Sequence, residues 1–346
     1  MIDTLNIDNF LTATGNIPVV DVRTPLEYDH AHIPGAFNLP IFSNEERVLV
    51  GTTYKQQERE AAILLGFDLT GPKWSGFIKT ALEIAPDKKI GVHCWRGGMR
   101  SGAMAWALSL YGFDVYLLEG GYKKFRNWAL SKFNERYNLL ILGGMTGSGK
   151  TKVLTELKRN GQQVIDLEEL AQHQGSSYGS MGKSVQPSQE HFENLLATEL
   201  EMVDNTIPLW LEDESLTIGK RFIPNGLWHQ MREATVMKMV VPVDERINYL
   251  AGEYGPLERD FLIESTERIG KRLGPEQTRD AVTALREGRI HDFVRKVLVY
   301  YDKSYGTGQS KRVLSSVHSI ECLDTDPVRN AHTILNYYNA LQLSPA

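Results

Sequence analysis

The sequence predicts an α/β protein with two domains, each built on a parallel sheet, and three observations support this fold class. The chain has 346 residues, and a chain of this length usually divides between two hydrophobic cores. Short apolar runs alternate with helical patterns over the first 120 residues, which is typical of parallel sheets. Near the middle of the chain another apolar run leads into a glycine-rich loop and a helix, so a second sheet is expected there.

We expect the first domain at residues 1–130. Its strands are predicted at 18–22, 89–93 and 115–118. A helix should cover 99–111, because this stretch is rich in Ala, Met and Leu and Gly112 can end a helix. Residues 42–80 interrupt the alternation and carry a helical pattern near 58–65, so we interpret them as an insertion.

The second domain is expected at 138–346, after a boundary between 127 and 138. Its strands are predicted at 139–142, 163–165, 209–212 and 235–241. A helix should follow the glycine loop at 150–159, and the chain reads as mainly helical from 244 to 301, with a last amphipathic helix at 326–343. The Gly-, Ser- and Gln-rich segment 174–188 is predicted to be a surface loop and a candidate lid.

Composition limits the partners and the compartment. The net charge is −5, so any contact with nucleic acid must come from a local patch such as 220–312, where basic residues exceed acidic ones. Two cysteines are too few for a disulfide framework and fit a reducing compartment. The first residues lack the pattern of a signal peptide, and no apolar run approaches a membrane span. We therefore expect a cytoplasmic protein without a membrane contact.

A cysteine loop lies between the strand at 89–93 and the helix at 99–111. Its sequence is HCWRGGMRS over residues 93–101, and a Cys-x5-Arg spacing lets backbone N–H groups surround an anion while Arg100 closes the ring. A thiol ionises more readily near arginines and at a helix start, so Cys94 is the candidate nucleophile, with Arg96 as a further cation. The competing interpretation is a small buried residue. For Cys322, which has no such neighbours, we favour packing.

A phosphate-binding loop, GMTGSGKT, occupies residues 144–151. Backbone N–H groups of such a loop approach phosphate oxygens, the lysine reaches the terminal phosphates and the hydroxyl binds Mg²⁺. The candidate phosphate-binding residues are Gly144, Thr146, Gly147, Ser148, Gly149, Lys150 and Thr151. Glu212 or Asp213 would hold the metal, Asp166 is a weaker candidate, and a solvated acidic strand end is the alternative. No metal is assigned with certainty.

Two families share the pattern around Cys94. The string from His93 to Ser101 matches the cysteine-phosphatase signature. Segments 21–28, 32–40 and 118–122 resemble the rhodanese domain of sulfurtransferases, over about 130 residues. The loop is longer than in small rhodaneses, and a longer loop suits a phosphate-sized group better than a bare sulfur. The resemblance predicts a rhodanese-like first domain, followed by a P-loop NTPase-like α/β domain with helical additions.

The combination resembles the tRNA 2-selenouridine synthase family across essentially the whole chain. Besides both loops, the likeness includes short motifs at 46–48, 50–52, 54–56, 65–67, 211–215 and 269–274. The resemblance implies conversion of 2-thiouridine to 2-selenouridine at the wobble position (U34) of tRNAs for Lys, Glu and Gln. The family is understood to work through S-geranyl-2-thiouridine, so the enzyme would be both a geranyltransferase and a selenotransferase.

The resemblance also implies roles, ligands and partners. Cys94 would carry selenium, geranyl diphosphate and selenophosphate would be co-substrates, Mg²⁺ would be a ligand of the phosphate loop, and no cofactor would be tightly bound. The expected partners are tRNA and an enzyme that produces selenophosphate. A geranyl chain needs an apolar groove; the segments near Trp210 and at 228–231 are candidates for its lining, but core packing is the favoured interpretation of both.

Two other functions stay open on the residues alone. A cysteine phosphatase fused to a nucleotide-binding domain would use the signature around Cys94, although the loop contains no aspartate to act as general acid. A kinase or NTPase would use the phosphate loop, with a first domain that only binds partners. Phosphate release from an aryl phosphate would indicate the first, and ATP turnover without tRNA the second.

Overall fold

The structure, a computed structural model, describes residues 1–173, 185–309 and 316–343. The chain forms two compact units, residues 1–132 with 187–198 and residues 133–186 with 199–346. Both are α/β units with parallel sheets, so the predicted fold class is confirmed. The sequence pattern assigns 187–198 to the second domain, whereas the structure places this segment in the first unit. Most of the predicted lid, residues 174–184, lies outside the described residues.

Strands and helices alternate along both units. The strands are β1 (Ile2–Leu5), β2 (Val19–Asp21), β3 (Phe37–Asn38), β4 (Lys89–His93), β5 (Asp114–Leu118), β6 (Leu139–Gly144), β7 (Gln163–Val164), β8 (Leu209–Glu212), β9 (Thr217–Ile218), β10 (Arg221–Phe222), β11 (Thr235–Val240) and β12 (Val317–Glu321). The helices are α1 (Ile7–Ala13), α2 (Pro25–His30), α3 (Asn44–Gln56), α4 (Arg59–Thr70), α5 (Trp74–Ile84), α6 (Met99–Tyr111), α7 (Gly121–Lys132), α8 (Lys150–Arg159), α9 (Leu167–Leu170), α10 (Gln189–Glu201), α11 (Asn225–Glu233), α12 (Val243–Tyr254), α13 (Arg259–Leu273), α14 (Pro275–Arg286), α15 (Ile290–Gln309) and α16 (Pro327–Leu343).

The sheet of the first unit has the order β1-β5-β4-β2-β3, and its strands are parallel. The central strand β4 is buried from Ile90 to its end, because helices cover both faces of such a sheet. In the register, Asp21 pairs with His93. Parallel strands end at one edge, so the segments that follow these two residues lie side by side.

The insertion is helical and consists of α3, α4, a short 3₁₀ turn (Gly71–Lys73) and α5. Helix α3 begins with a capping box, in which the Ser43 hydroxyl accepts the Glu46 N–H and the Glu46 carboxylate accepts the Ser43 N–H. The same carboxylate binds Lys73, with Nζ at 2.5 Å from Oε2. The sequence pattern predicts a helix near 58–65. In the structure this helix is α4, which continues to Thr70, and the insertion contains two further helices, α3 and α5, that the pattern did not predict.

Helix α10 belongs to the first unit over most of its length because its polar face bonds to α7. The buried Asn194 donates to the Tyr122 hydroxyl at 2.8 Å and accepts from Arg126 at 2.5 Å. Arg126 also donates to Glu193 at 2.6 Å, and the Tyr122 hydroxyl donates to Glu190 at 2.7 Å. These contacts explain why the segment 187–198 belongs to the first unit.

The second unit has a parallel sheet in the order β12-β11-β6-β8-β7 and a small hairpin of β9 and β10. Strand β6 lies between β11 and β8, and all six of its residues are buried. Trp210 and Met231 are fully buried, so they are core residues. Helices α12 to α15 share a separate apolar cluster that includes Phe293. Among the described residues, no helix is long and apolar enough to cross a lipid bilayer.

A buried ion pair connects β2 to the segment after it. Arg23 and Asp21 are 1% and 0% exposed, and Arg23 Nη2 lies 2.6 Å from Asp21 Oδ2. Arg23 also donates to the Ala31 carbonyl at 2.7 Å, and its guanidinium lies 3.8 Å from the centre of the Tyr122 ring. The guanidinium is therefore paired on several sides and held away from water.

Replacing Asp21 by asparagine should reduce the free energy of unfolding by about 3–5 kcal/mol, because a buried guanidinium loses its counter-charge. Denaturant unfolding of the full chain measures the change. Glu264→Gln is the matched control, since Glu264 forms an exposed pair with Arg268 and such pairs contribute little. Equal losses in the two variants would contradict the importance of the buried pair.

Candidate active sites in the two units

The cysteine loop joins the end of β4 to the start of α6, and its carbonyl groups are held by α7. The N–H of Tyr122 donates to the Cys94 carbonyl at 2.8 Å, and the N–H of Lys123 donates to the Trp95 carbonyl at 3.0 Å. The first N–H groups of a helix have no partner within it, so they are available for such bonds. With its carbonyls bound to α7, the loop can direct its own N–H groups towards the sulfur.

Two glycines allow this close approach. Gly97 and Gly121 have φ values of +63° and +59°, in the left-handed region that other residues avoid. A Cβ atom on Gly121 would lie 2.3 Å from the Cys94 carbonyl oxygen and 2.5 Å from the Gly97 nitrogen. Glycine is therefore required at both Gly97 and Gly121 by the packing of the loop on α7.

Hydrogen bonds around the sulfur favour the thiolate of Cys94. Burial alone would raise the pKa of this thiol, but the Ser101 hydroxyl, the N–H groups of Arg96 and Ser101, and the charge of Arg100 bring it below its ordinary value. The sulfur lies 3.1 Å from Ser101 Oγ. By contrast, burial raises the pKa of Cys322 to about 11. Of the two cysteines, Cys94 is the one prepared for nucleophilic chemistry.

The two predicted arginines have different environments. Arg100 binds the carboxylate of Glu27, with Nη1 at 2.8 Å from Oε2 and Nη2 at 3.4 Å from Oε1. Glu27 also accepts the Thr24 N–H at 3.0 Å, so it is fixed by the start of α2. Arg96 has an exposed side chain, and among the described residues that side chain has no hydrogen bond or ion pair. Arg96 is thus an available cation, while Arg100 is held in place.

Sequence reasoning assigned no role to Ser101 or Glu27. Ser101 is the last residue of the motif, seven positions after the cysteine and in the first turn of α6, from which its hydroxyl reaches the sulfur. Glu27 lies 73 positions from Arg100, so only the fold brings the two together.

The phosphate loop joins β6 to α8 as predicted. Gly144, Gly147 and Gly149 have positive φ values of 156°, 83° and 78°. A Cβ atom on Gly147 would lie 2.8 Å from Leu250 Cδ1 and 3.0 Å from the Arg246 carbonyl oxygen. Arg246 in turn donates to the Thr146 carbonyl at 3.1 Å and pairs with Asp302 at 2.8 Å. The loop is therefore held from outside by α12.

Lys150 and Thr151 contact carboxylates at the end of β8. Lys150 Nζ lies 3.0 Å from the Gly144 carbonyl and 3.4 Å from Glu212 Oε1. The Thr151 hydroxyl lies 3.3 Å from Glu212 and 3.4 Å from Glu168. The predicted pairing of Glu212 with the loop arises because β8 is the neighbour of β6, with Leu142 in register with Glu212.

Three carboxylates gather beside Thr151. Oxygen atoms of Glu168, Glu212 and Glu214 lie within 4.8 Å of one another, and oxygen ligands of this kind suit Mg²⁺. Of these residues the sequence named only Glu212. The carboxylate of Asp213 accepts from the Tyr305 hydroxyl at 3.1 Å, and Asp166 caps α9 by accepting the Glu169 N–H. Neither belongs to the group of three.

The three carboxylates repel one another, and this repulsion affects the pKa values of the group. Burial and the neighbouring carboxylates Glu212 and Glu168 raise the pKa of Glu214 well above its ordinary value, and burial raises the pKa of Glu212 as well. Burial alone would lower the pKa of Lys150, but the carboxylates around it raise it. A divalent cation in the group would compensate the negative charge and would supply Lewis-acid assistance to a phosphate group.

Comparison with known proteins defines the class of the chain and then its family. A profile of the rhodanese-like domain matches residues 8–127, and a profile described as the tRNA 2-selenouridine synthase AAA domain matches residues 137–321. The molecule is thus a two-domain protein that joins a rhodanese-like domain to a P-loop domain. The second profile covers more than half of the chain.

Relatives named tRNA 2-selenouridine synthase agree with both profiles. The Shewanella oneidensis protein is 34% identical over 78% of this chain and 77% of its own length, and the Shewanella pealeana protein is 34% identical over 83% and 87%. The Nitrosomonas eutropha protein is 39% identical over 72% of this chain, and the match spans 66% of its length, slightly under two thirds. The chain belongs to the tRNA 2-selenouridine synthase family, a family of tRNA-modifying enzymes.

Ser101→Ala should raise the pKa of the Cys94 thiol, because the thiolate loses a hydrogen bond. At neutral pH the alkylation rate with iodoacetamide should fall, and the midpoint of its pH profile should move upward. Alkylation of the native protein reports mainly on Cys94, since the pKa of the Cys94 thiol is lowered whereas that of Cys322 is raised to about 11. Ser109→Ala, on the same helix but without a hydrogen bond to the sulfur, serves as the control. An unchanged profile in Ser101→Ala would refute the role of the hydroxyl.

Glu214→Gln should stabilise the cation-free protein, because it removes one of three repelling charges. The gain should be absent below the ordinary pKa of glutamate and grow as pH rises above it, since the folded-state pKa is the raised one. Thermal unfolding near pH 7.5 should show a Tm increase of about 2–4 °C, the shift expected from about 1 kcal/mol.

The same variant should lose the Tm increase that Mg²⁺ gives the wild-type protein. Glu267→Gln removes an exposed charge on α13 and should leave both melting temperatures unchanged. A Mg²⁺-dependent increase that persists in Glu214→Gln would exclude this carboxylate as a ligand.

Proposed function

We propose that the chain converts 2-thiouridine to 2-selenouridine at the wobble position of tRNAs for Lys, Glu and Gln, through S-geranyl-2-thiouridine. Geranyl diphosphate and selenophosphate would be the co-substrates. The observation that carries the proposal is the pairing, in a member of this family, of an activated cysteine in an anion-binding loop with a complete phosphate loop. Each loop matches the chemical needs of one half of the reaction.

The phosphate loop suits the first half, the transfer of the geranyl group. The thione sulfur attacks C1 of geranyl diphosphate, the C–O bond breaks, diphosphate leaves and the uridine loses its N3 proton. Lys150 and the loop N–H groups would stabilise the negative charge that develops on the departing diphosphate. Glu168, Glu212, Glu214 and Thr151 would hold Mg²⁺ beside it, and Lys150 is kept protonated by the same carboxylates.

The cysteine loop suits the second half, the replacement of sulfur by selenium. Alkylation turns the 2-thio group into a geranylthiolate leaving group, so a selenium nucleophile can displace it at C2 of the base. The selenium of selenophosphate would form the new bond to C2 while the C–S bond breaks and geranylthiolate leaves, and water would then cleave the Se–P bond and release phosphate. Cys94, whose thiol has a lowered pKa and lies among N–H donors, is the proposed carrier of selenium during this transfer. Arg96 would attract the oxygens of selenophosphate, and Arg100, fixed by Glu27, would add positive charge at the loop.

The proposed reaction also defines partners and a compartment. Selenophosphate is a reactive anion, so an enzyme that produces it is the expected source, either by direct contact or through solution. A tRNA substrate places the reaction in the cytoplasm, in agreement with the cysteine content of the chain. For the two alternatives, phosphatase and NTPase, the described part of the chain offers no observation that favours them over this function.

Cys94→Ala should abolish selenation and spare geranylation, and Lys150→Ala should slow geranylation about 100-fold or more, as expected when a main charge on the leaving group is removed. The wild-type protein and each variant are incubated with a 2-thiouridine anticodon stem-loop and geranyl diphosphate, without and then with selenophosphate, and the RNA mass is measured. The wild-type RNA should gain a geranyl group and then exchange geranylthio for selenium.

Cys322→Ala and Lys152→Ala are matched controls, because Cys322 is a buried core residue and Lys152 pairs with Glu253 on the outside of the phosphate loop's helix. Selenouridine made by the Cys94→Ala protein would refute the cysteine assignment. No mass change with either the stem-loop or a full tRNA would refute the function. In that case, phosphate release from an aryl phosphate or tRNA-independent ATP turnover would identify the alternative.

A further inference from the structure

An apolar cavity lies directly beside Cys94 in the first unit. Its volume is about 810 Å³, within the range of small-molecule sites. The insertion supplies one side through α3 and α4, and the first turns of α6 supply another. The anion-binding role of the cysteine loop accounts for the part of the lining around Cys94 but not for the apolar walls, because an anion has no need of them.

The lining divides into a polar part and an apolar part. Cys94, Arg96 and Arg100 contribute the catalytic thiol and two of its cations, and Arg47 and Lys55 add charges from α3. The remaining lining is mainly aliphatic and aromatic, as in Val50, Ile63, Phe67 and Trp74. Phe67 is 61% exposed, although a large aromatic side chain gains most when it is covered. The ligand expected here joins an apolar body to a group that reacts at Cys94.

The length of the cavity indicates the size of that body. On α4 the lining extends from Ala62 to Thr70 and on α3 from Arg47 to Lys55, and eight residue steps of a helix advance about 12 Å. With about 1.2 Å of reach per bond, a geranyl chain linked through sulfur extends about 10 Å. A farnesyl chain, which reaches about 14 Å by the same measure, would be longer than the lined helix segments, and a methyl group would leave the cavity almost empty.

We propose that this cavity binds the geranyl group of S-geranylated 2-thiouridine, so that the rhodanese-like unit recognises the alkylated base by its chain and places the leaving group beside Cys94. The inference rests on the proposed function and extends it. The occupant is the chain attached to the RNA and not the chain of geranyl diphosphate, because the cavity opens on the selenium-carrying cysteine. Helices α3 and α4 of the insertion would then form the wall of a site that selects the alkylated substrate.

The test measures how S-alkylated RNA protects Cys94 from iodoacetamide in the full chain. Anticodon stem-loops carry 2-thiouridine with S-methyl, S-dimethylallyl, S-geranyl or S-farnesyl groups. Each buried methylene contributes about a fourfold gain in binding. The S-geranyl RNA should therefore protect at a concentration at least tenfold below the S-methyl RNA, and the farnesyl chain should bring no further gain.

Two variants connect the selectivity to the cavity. Gly102→Leu fills it, because a Cβ atom at Gly102 has no other atom within 4 Å. Phe67→Ser removes an apolar wall from an exposed position that tolerates change. Both should erase the preference for the geranyl chain. Leu64→Ser is the matched control, since Leu64 lies on the same helix with 64% exposure and does not line the cavity. The rate of unprotected alkylation and the melting temperature verify that each variant is folded.

Three results would overturn the inference: equal protection by methyl and geranyl RNA, an equal loss in Leu64→Ser and Phe67→Ser, or the same protection by geranyl diphosphate alone. A wild-type protein that geranylates and selenates RNA but shows one of these results refutes only the cavity assignment. A wild-type protein that performs neither half-reaction refutes the proposed function, and the inference falls with it.

Discussion

The chemistry of the first unit depends on two hydrogen bonds that α7 donates to the cysteine loop. The N–H groups of Tyr122 and Lys123 bind the carbonyls of Cys94 and Trp95, which leaves the loop's own N–H groups free to stabilise a thiolate. The same approach excludes a side chain at Gly121 and requires left-handed backbone at Gly97. The lowered pKa of Cys94 is therefore a property of how two elements pack, and not of the motif alone.

The candidate site of the second unit concentrates negative charge, whereas the site around Cys94 concentrates positive charge. Around the cysteine, N–H groups and arginines attract negative charge. Beside the phosphate loop, Glu168, Glu212 and Glu214 are close enough to repel one another. Lys150 compensates part of this charge from the loop side, and a divalent cation would compensate the rest. The carboxylates thus cost stability in the free protein, a cost that is common where a site is prepared for a ligand.

Local signals explain what could be predicted from the sequence. Helix α6 ends at Gly112, which has a φ of +105°, and β6, the phosphate loop and α8 follow their motif residue by residue. Strand β1 was missed because Ile2–Leu5 alternates weakly and its pairing with β5 joins residues more than 100 positions apart. The contact of Glu27 with Arg100 spans 73 positions and that of Glu168 with Thr151 spans 17, and neither pair belongs to a local motif, so a single sequence offers no signal for them. The apolar cavity needed both the insertion and α6 in place before it could be recognised.

The path of the chain through α10 has a consequence for how the protein is made. Residues 187–198 complete the first unit, although they are synthesised after the phosphate loop and before β8. During synthesis on the ribosome, Tyr122 and Arg126 can form their hydrogen bonds to Asn194 and Glu193 only after these two later residues have been made. A truncation after Lys132 would leave those side chains of α7 without these bonds. Since α7 also holds the cysteine loop, the maturation of the nucleophile is coupled to synthesis of a segment that lies far downstream in the chain.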